Sequence, residues 1–214
     1  AQLRSASRFL EVSVMNQFAK KVALTSLVLT CACDASETTT SEFVAQATTP
    51  ALPTSSQVPT VGAAVKIQAF PEQEYRDLVR DTFNEVTIEN ALKWSTLRKT
   101  RAFNFTDADI LVGEAESHEQ TIRGHTLVWE HGLPAWLLAT PLSQIQQELT
   151  HHIQTTVGRY RGRIKHWDVV NEAVDPRGRL RGNIFYRAMG RAYIAESFRN
   201  AHRADPTARL AYTA

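Results

Sequence analysis

Residues 164–172 read IKHWDVVNE, an apolar run that ends directly in an amide and a carboxylate. We expect residues 164–170 to form a β-strand covered on both faces, because Trp167, Val169 and Val170 leave no clean polar alternation. In sheets of parallel strands the functional residues gather at the carboxyl ends of the strands. Asn171 and Glu172 stand at that position, so this segment predicts both a fold class and a candidate site.

The surrounding sequence alternates between strand-like and helix-like segments. Asn90 is expected to cap a short helix that begins at residue 91, and the helix after Pro141 shows apolar residues at steps of three and four. Alternation of this kind predicts an α/β fold, a parallel sheet with helical crossovers. The expected strands are 60–65, 83–89, 121–129, 164–170 and 210–213, and the longer helices are 71–82, 107–119, 142–160 and 184–201.

The composition excludes several classes of protein. The chain has 214 residues, 43% of them hydrophobic, and 24 Lys and Arg against 22 Asp and Glu, a net charge of +2. These values exclude collagen-like, coiled-coil and wholly disordered chains, and the near-neutral charge gives no reason to expect nucleic acid as a partner. His118-Glu119 and His151-His152 lack the spacing of a zinc-hydrolase helix, so we expect no metal and no cofactor. A monomer is expected.

The first 59 residues are expected to precede the globular domain. Residues 15–33 have a basic start, a nine-residue apolar core (VALTSLVLT) and a Cys31-Ala32-Cys33 end, as a signal peptide does. An ordinary buried helix is the alternative. Residues 1–14 are interpreted as an upstream extension or gene-model artefact, and the Thr/Ser/Pro-rich residues 34–59 as a linker. We therefore expect export, with the protein secreted or anchored to a bacterial cell envelope through a lipidated Cys31 or Cys33.

Polar and aromatic side chains collect at the ends of three predicted strands. Carboxylates suit acid–base chemistry, amides and an ammonium group bind hydroxyls, and an indole face packs on the apolar face of a sugar ring. Each residue alone has an ordinary structural explanation, but the set predicts a sugar-binding site. Its members are Glu89, Asn90 and Lys93 after the second strand, His125 and Trp129 in and at the end of the third, and Asn171 and Glu172 at the end of the fourth.

Three segments resemble the signatures of glycoside hydrolase family 10. They are residues 86–94 (VTIENALKW), 123–129 (RGHTLVW) and 167–173 (WDVVNEA), and the resemblance runs from about residue 61 to residue 212. It implies a TIM (β/α)8 barrel with endo-1,4-β-xylanase activity on xylan or xylo-oligosaccharides. Such barrels take about 250 residues, so residues 60–214 are expected to hold the first half, strands 1–4 and the start of strand 5.

The resemblance also implies roles for the candidate residues. Glu172 is the acid/base of a retaining double displacement, and Asn171 binds the sugar 2-hydroxyl. His125 and Trp129 contribute to the subsite at the cleavage point, while Glu89, Asn90 and Lys93 bind the next glycone unit. The attacking carboxylate is expected beyond residue 214, so the 214 residues alone are expected to be inactive. Strand alternation sends Asn171 and Glu172 to opposite faces, so both reach one sugar only if the strand bends or ends there.

The sequence departs from the family pattern after Trp129. Glu130 stands where the family usually has His, and Gly132 where it usually has a sugar-contacting Gln, so glycone binding is expected to be weaker or differently selective. Two alternatives to a xylanase stay open, a non-catalytic glycan-binding lipoprotein and a β-1,4-glucanase of a related barrel family. A solvated basic face is expected from the arginines at 177, 179, 181, 187 and 191.

Overall fold

The computed structural model describes residues 59–214. Five strands form one sheet in the order β1-β2-β3-β4-β5, and every neighbouring pair is parallel. The predicted α/β class is confirmed, and the sheet has the strand order and direction of the first five strands of a (β/α)8 barrel. The strands are β1 Gly62–Val65, β2 Glu85–Ile88, β3 Thr121–Val128, β4 His166–Asn171 and β5 Arg209–Thr213.

Helices connect the strands, as the sequence alternation predicts. They are α1 Gln73–Thr82, α2 Trp94–Leu97, α3 Thr106–Ser117, α4 Ala135–Leu138, α5 Leu142–Arg159, α6 Ile184–Met189 and α7 Ala192–Ala204, with short 3-10 turns at Ile67–Ala69 and Glu130–Gly132.

The core lies between the sheet and the helices that cover it. In β4 the four residues from Trp167 to Val170 are all buried, which explains why this strand shows no polar alternation. Helix α5 turns its apolar stripe inward, with Ile145, Leu149, Ile153 and Val157 fully buried. Leu142, the first member of the predicted stripe, is 40% exposed because it opens the helix at its end.

Trp167 packs against the backbone of the neighbouring strand. Its indole lies over Gly124 of β3, the residue paired with it across the sheet. An ideal Cβ built at Gly124 would stand 2.4 Å from Cε3 of this indole. Position 124 therefore requires glycine if Trp167 is to keep its place.

Two sequence predictions about helices are wrong. The single helix expected over 184–201 is two helices, because Gly190 takes a φ of +61° and ends α6. Asn90 does not cap a helix: it opens a turn in which the Lys93 amide donates to its carbonyl, and α2 begins only at Trp94.

Within residues 59–214 no helix combines the length and the apolarity needed to cross a membrane. The predicted upstream extension, signal peptide and linker, including Cys31 and Cys33, lie outside the described residues apart from Pro59.

Candidate active site

The turn after β2 brings three polar side chains together. The Glu89 amide donates to the Val65 carbonyl at 3.1 Å, which holds the strand end against β1. From the turn that follows, Asn90 Nδ2 donates to Glu89 Oε1 at 3.3 Å, and Lys93 Nζ donates to Asn90 Oδ1 at 2.9 Å. Lys66, just after β1, adds an ion pair of 3.4 Å to Glu89. Consecutive strand ends thus form a continuous polar row.

Lys93 joins this row to the end of β3. Its Nζ lies 4.7 Å from the centre of the Trp129 ring, within the range of a cation–π interaction. Burial lowers the pKa of Lys93 below its ordinary value, while the carboxylates of Glu89 and Glu172 act in the opposite direction. Lys93 is therefore a partly desolvated donor facing two acids.

Trp129 in turn reaches Glu172. The indole Nε1–H donates to Glu172 Oε2 at 2.9 Å, so the residue after β3 contacts the residue after β4. Glu172 has a φ of +52°, in the left-handed region that residues other than glycine seldom adopt. Strand β4 ends at Asn171, and its neighbour β5 still holds the chain, because the Glu172 amide donates to the Thr213 carbonyl at 2.8 Å. Strand β4 thus ends at Asn171, which is the condition stated above for Asn171 and Glu172 to reach one sugar.

Asn171 is held by the same residue of β5. Its Oδ1 accepts from Thr213 Oγ1 at 3.0 Å. With its oxygen engaged in this way, the Asn171 amide presents its nitrogen as a donor. Thr213 therefore fixes the orientation of the Asn171 side chain and the backbone of Glu172 at once.

His125 is held by a buried carboxylate. Its Nδ1 lies 2.9 Å from Oδ2 of Asp168, which is 2% exposed, and the Arg123 guanidinium binds the other oxygen at 2.6 Å. Burial tends to raise the pKa of Asp168, but hydrogen bonds from His125 and Arg123 bring it below the ordinary value. Asp168 thus acts as an anion that fixes the ring of His125.

Gly132 lies buried beside this row. A Cβ built there would stand 3.2 Å from Trp129 Cε3 and 3.7 Å from Lys93 Cβ. A side chain at 132 would therefore lie against both Trp129 and Lys93, so the glycine leaves them less enclosed.

The structure brings most of the predicted residues together. Contacts join five of them in one row. Asn171 is joined to this row through Thr213. His125 stays apart from the row, since its side-chain hydrogen bond within residues 59–214 is to Asp168. Sequence reasoning missed Lys66 and Thr213, and their only signal is that each stands at or just after a predicted strand. The five are Glu89, Asn90, Lys93, Trp129 and Glu172.

No group of three or more His, Cys, Asp or Glu side chains suited to a metal ion occurs in the described part of the chain. The row instead offers carboxylates, amides, an ammonium and an indole at the carboxyl ends of parallel strands. The fold is that of the first part of a β/α-barrel protein, and this donor set suits a ligand rich in hydroxyl groups.

Comparison with known sequences identifies the family. The sequence model of glycosyl hydrolase family 10 matches residues 53–213, and the chain belongs to this family. The chain is 41% identical over 151 residues to endo-1,4-beta-xylanase 3 of Hypocrea jecorina, covering 70% of this chain and 44% of that protein. It is 40% identical over 156 residues to endo-1,4-beta-xylanase A of Cellvibrio japonicus, covering 67% and 25%. The resemblance inferred from three short segments is confirmed.

Solved structures show the same fold. Native xylanase 10B of Thermotoga maritima superposes with a TM-score of 0.67 at 38% identity, covering 72% of this chain and 48% of that one. Xylanase 10B of Thermotoga petrophila, solved in complex with xylobiose, gives a TM-score of 0.67 at 37% identity, with 72% and 48% covered. The chain thus spans between a quarter and about half of the length of these relatives.

Proposed function

We propose that this chain forms the acid/base side of an endo-1,4-β-xylanase that hydrolyses xylan with retention of configuration. The observation that carries the proposal is the contact of Trp129 with Glu172, continued through Lys93 to the turn after β2. The contact sets a carboxyl group beside an indole and several hydrogen-bonding groups, an arrangement that suits proton transfer to a bound sugar. The names of the relatives and the xylobiose complex of one structural neighbour support the substrate class.

In the proposed reaction Glu172 protonates the glycosidic oxygen as the bond to the anomeric carbon breaks. A second carboxylate, about 5 Å from Glu172, attacks that carbon, and Glu172 then removes a proton from the water that releases the sugar. Asn171 donates to the 2-hydroxyl, and Trp129 and His125 border the cleaved unit. Glu89, Asn90 and Lys93 bind the hydroxyls of the next unit.

The attacking carboxylate is proposed to come from sequence that follows residue 214. The relatives are at least about twice as long as the matched region, which leaves room for the later strands of a barrel. We therefore expect the 214 residues alone to give no turnover of xylan.

The test compares Glu172→Gln with Glu119→Gln in a protein completed with the later strands of a family relative. Glu119 is a matched control, because it also has a positive φ, of 56°, but is exposed and lies before β3. E172Q should lower the rate on xylan by a factor of about 100 or more, whereas E119Q should leave it unchanged. Aryl xylobiosides with activated leaving groups should be affected less by E172Q, because such groups need little protonation.

Three outcomes would contradict the proposal. They are full xylan hydrolysis by E172Q, a first product of inverted configuration by proton NMR, and faster cleavage of cellulose than of xylan. Binding of xylo-oligosaccharides without any hydrolysis by the completed protein would instead favour a glycan-binding protein. Turnover of xylan by the 214 residues alone, abolished by E172Q, would overturn the expected inactivity.

We also propose that the protein is exported as a monomer, and that it is either secreted or anchored to a bacterial cell envelope through a lipid on Cys31 or Cys33. The support is the pattern of residues 15–33 followed by a Thr/Ser/Pro-rich stretch. Metabolic labelling with palmitate in a bacterial host tests the anchor. If the protein is anchored, only one of the variants Cys31→Ala and Cys33→Ala should abolish incorporation of the label. Lipidation would be excluded if the parent takes up no label or if neither variant loses it.

A further inference from the structure

An ion pair joins the turn after β3 to the segment after β4. Arg181 Nη1 lies 3.2 Å from Glu130 Oε1, and the two side chains are 27% and 21% exposed. Glu130 directly follows Trp129, while Arg181 comes nine positions after Glu172. Arg181 is thus not part of a purely solvated basic face, contrary to the sequence prediction for these arginines.

The backbone of Arg181 is tied to the residue next to Glu172. Its amide donates to the Ala173 carbonyl at 2.8 Å, and Val174 pairs with Leu180 in an antiparallel bridge. Residues 173–181 therefore form a closed loop whose two ends meet beside Glu172. One backbone hydrogen bond therefore connects Arg181 to Ala173, which is bonded directly to Glu172.

Two connections consequently run side by side between these segments. One is the hydrogen bond from Trp129 to Glu172, and the other runs from Glu130 through Arg181 to Ala173. Glu172 needs such support, because a left-handed backbone at a residue other than glycine persists only where its surroundings determine it. The pair holds the chain on the C-terminal side of Glu172, opposite the support from Thr213.

We propose that Glu130 and Arg181 are positioning residues that keep Trp129 and Glu172 in hydrogen-bonding contact. The consequence for catalysis rests on the proposed function of Glu172, but the positioning itself does not. The nearby ion pair of Arg179 with Asp175, at 2.9 Å, lies within the same loop and, within residues 59–214, joins it to no other segment. It is a matched control for an arginine of this loop that has no positioning role.

The experiment measures hydrogen exchange of the indole N–H groups by NMR in the 214-residue chain, without substrate. The indole signals of Trp94, Trp129, Trp136 and Trp167 are assigned by single replacements with Phe. Trp94 Nε1, which is buried and donates to the Leu127 carbonyl, is the internal reference for opening of the fold as a whole.

Arg181→Met and Glu130→Gln should each speed the exchange of the Trp129 indole by about three- to fivefold, the effect expected of a partly exposed ion pair. Arg179→Met should leave it unchanged, and Arg181→Lys should give a smaller increase. The double charge exchange E130R/R181E should bring the rate back to within about twofold of the parent.

An unchanged Trp129 rate in both single variants would overturn the proposal. So would an equal acceleration at Trp94, which indicates general loosening, or an equal effect of R179M. If R181M does not fold, E130Q and the double exchange decide. Because no turnover is measured, a catalytically silent E172Q would refute the proposed function without affecting this result, and the reverse also holds.

Discussion

Replacement of Gly124 by alanine should strongly destabilise the fold, because the new methyl group would enter the Trp167 ring. The built Cβ lies 2.4 Å from Cε3 and 2.5 Å from Cζ3 of Trp167, whereas ordinary contact begins at 3.4 Å. The ring would have to retreat by about 1 Å within a fully buried position. Trp167 precedes Asp168, so the same displacement would disturb the carboxylate that holds His125.

The size of the effect follows from the cost of overpacking a dense core. Inserted methyl groups typically cost about 1–3 kcal/mol, and a rigid, fully enclosed indole allows little relief, so we expect a loss of about 3 kcal/mol in the free energy of unfolding. For a domain of this size the Tm should fall by about 6–12 °C. Urea unfolding followed by circular dichroism measures the first quantity, and thermal unfolding the second.

Three further variants make the measurement decisive. Gly113→Ala, in the exposed interior of α3 with nothing within 4 Å of its Cβ, should stabilise the protein by up to about 1 kcal/mol. Trp167→Leu removes the ring that clashes, so the double variant G124A/W167L should be less destabilised than the sum of the single variants by about 1–3 kcal/mol. A loss below about 1 kcal/mol in G124A, or strict additivity in the double variant, would refute the reasoning.

Three other predictions concern residues around the site and the core. Asp168→Asn should cost about 2 kcal/mol, a value discounted because Arg123 is 34% exposed. The pKa of Asp168 is lowered in the folded protein, so its contribution to stability is present above the unfolded pKa of about 4 and is lost as the pH falls through the folded pKa. Urea unfolding of both proteins at several pH values should therefore show the difference in their free energies of unfolding shrinking at low pH. His152 is buried, its ring nitrogens are unpartnered within the described residues, and burial lowers its pKa well below 6.5. As the pH falls, the unfolded chain therefore binds the proton before the folded chain does. The free energy of unfolding should decrease as the pH drops below about 6.5, and it should decrease less in His152→Phe. Denaturant midpoints measured at several pH values test this, and parallel curves for the two proteins would contradict it. In the protein completed with the later strands, Thr213→Val should weaken the proposed binding of xylobiose by about fivefold in titration calorimetry, because Asn171 loses the hydrogen bond that orients it. An unchanged affinity would exclude that role.

The strands could be predicted from the sequence because a strand buried on both faces is made of consecutive residues without polar alternation. The run from Trp167 to Val170 has no polar alternation, and all four residues are buried in β4. The helix break at Gly190 leaves a weaker trace. Glycine is a residue that ends helices, but apolar residues continue at a helical step from Ala188 to Ala192 and mask the +61° φ that separates α6 from α7.

The candidate site shows a similar division. Lys93, Trp129 and Glu172 stand at strand ends, so topology alone predicts that they approach one another. Thr213 has no chemical signature, and its role arises only because β5 pairs with β4 in a register that sets it beside Asn171. Asn90 illustrates the opposite error, since a residue typical of helix caps here binds the ammonium group of Lys93 through its side chain.

The hydrogen bond from Trp129 to Glu172 has a consequence for attempts to redesign the protein. The indole borders Lys93 with its face and Glu172 with its edge, so a single ring couples three strand ends. Altering this ring would simultaneously displace the Glu172 carboxyl group and release the Lys93 ammonium group. Under the function proposed for Glu172, selectivity and reactivity are therefore inseparable at this position, and libraries should randomise the three sites jointly instead of one by one.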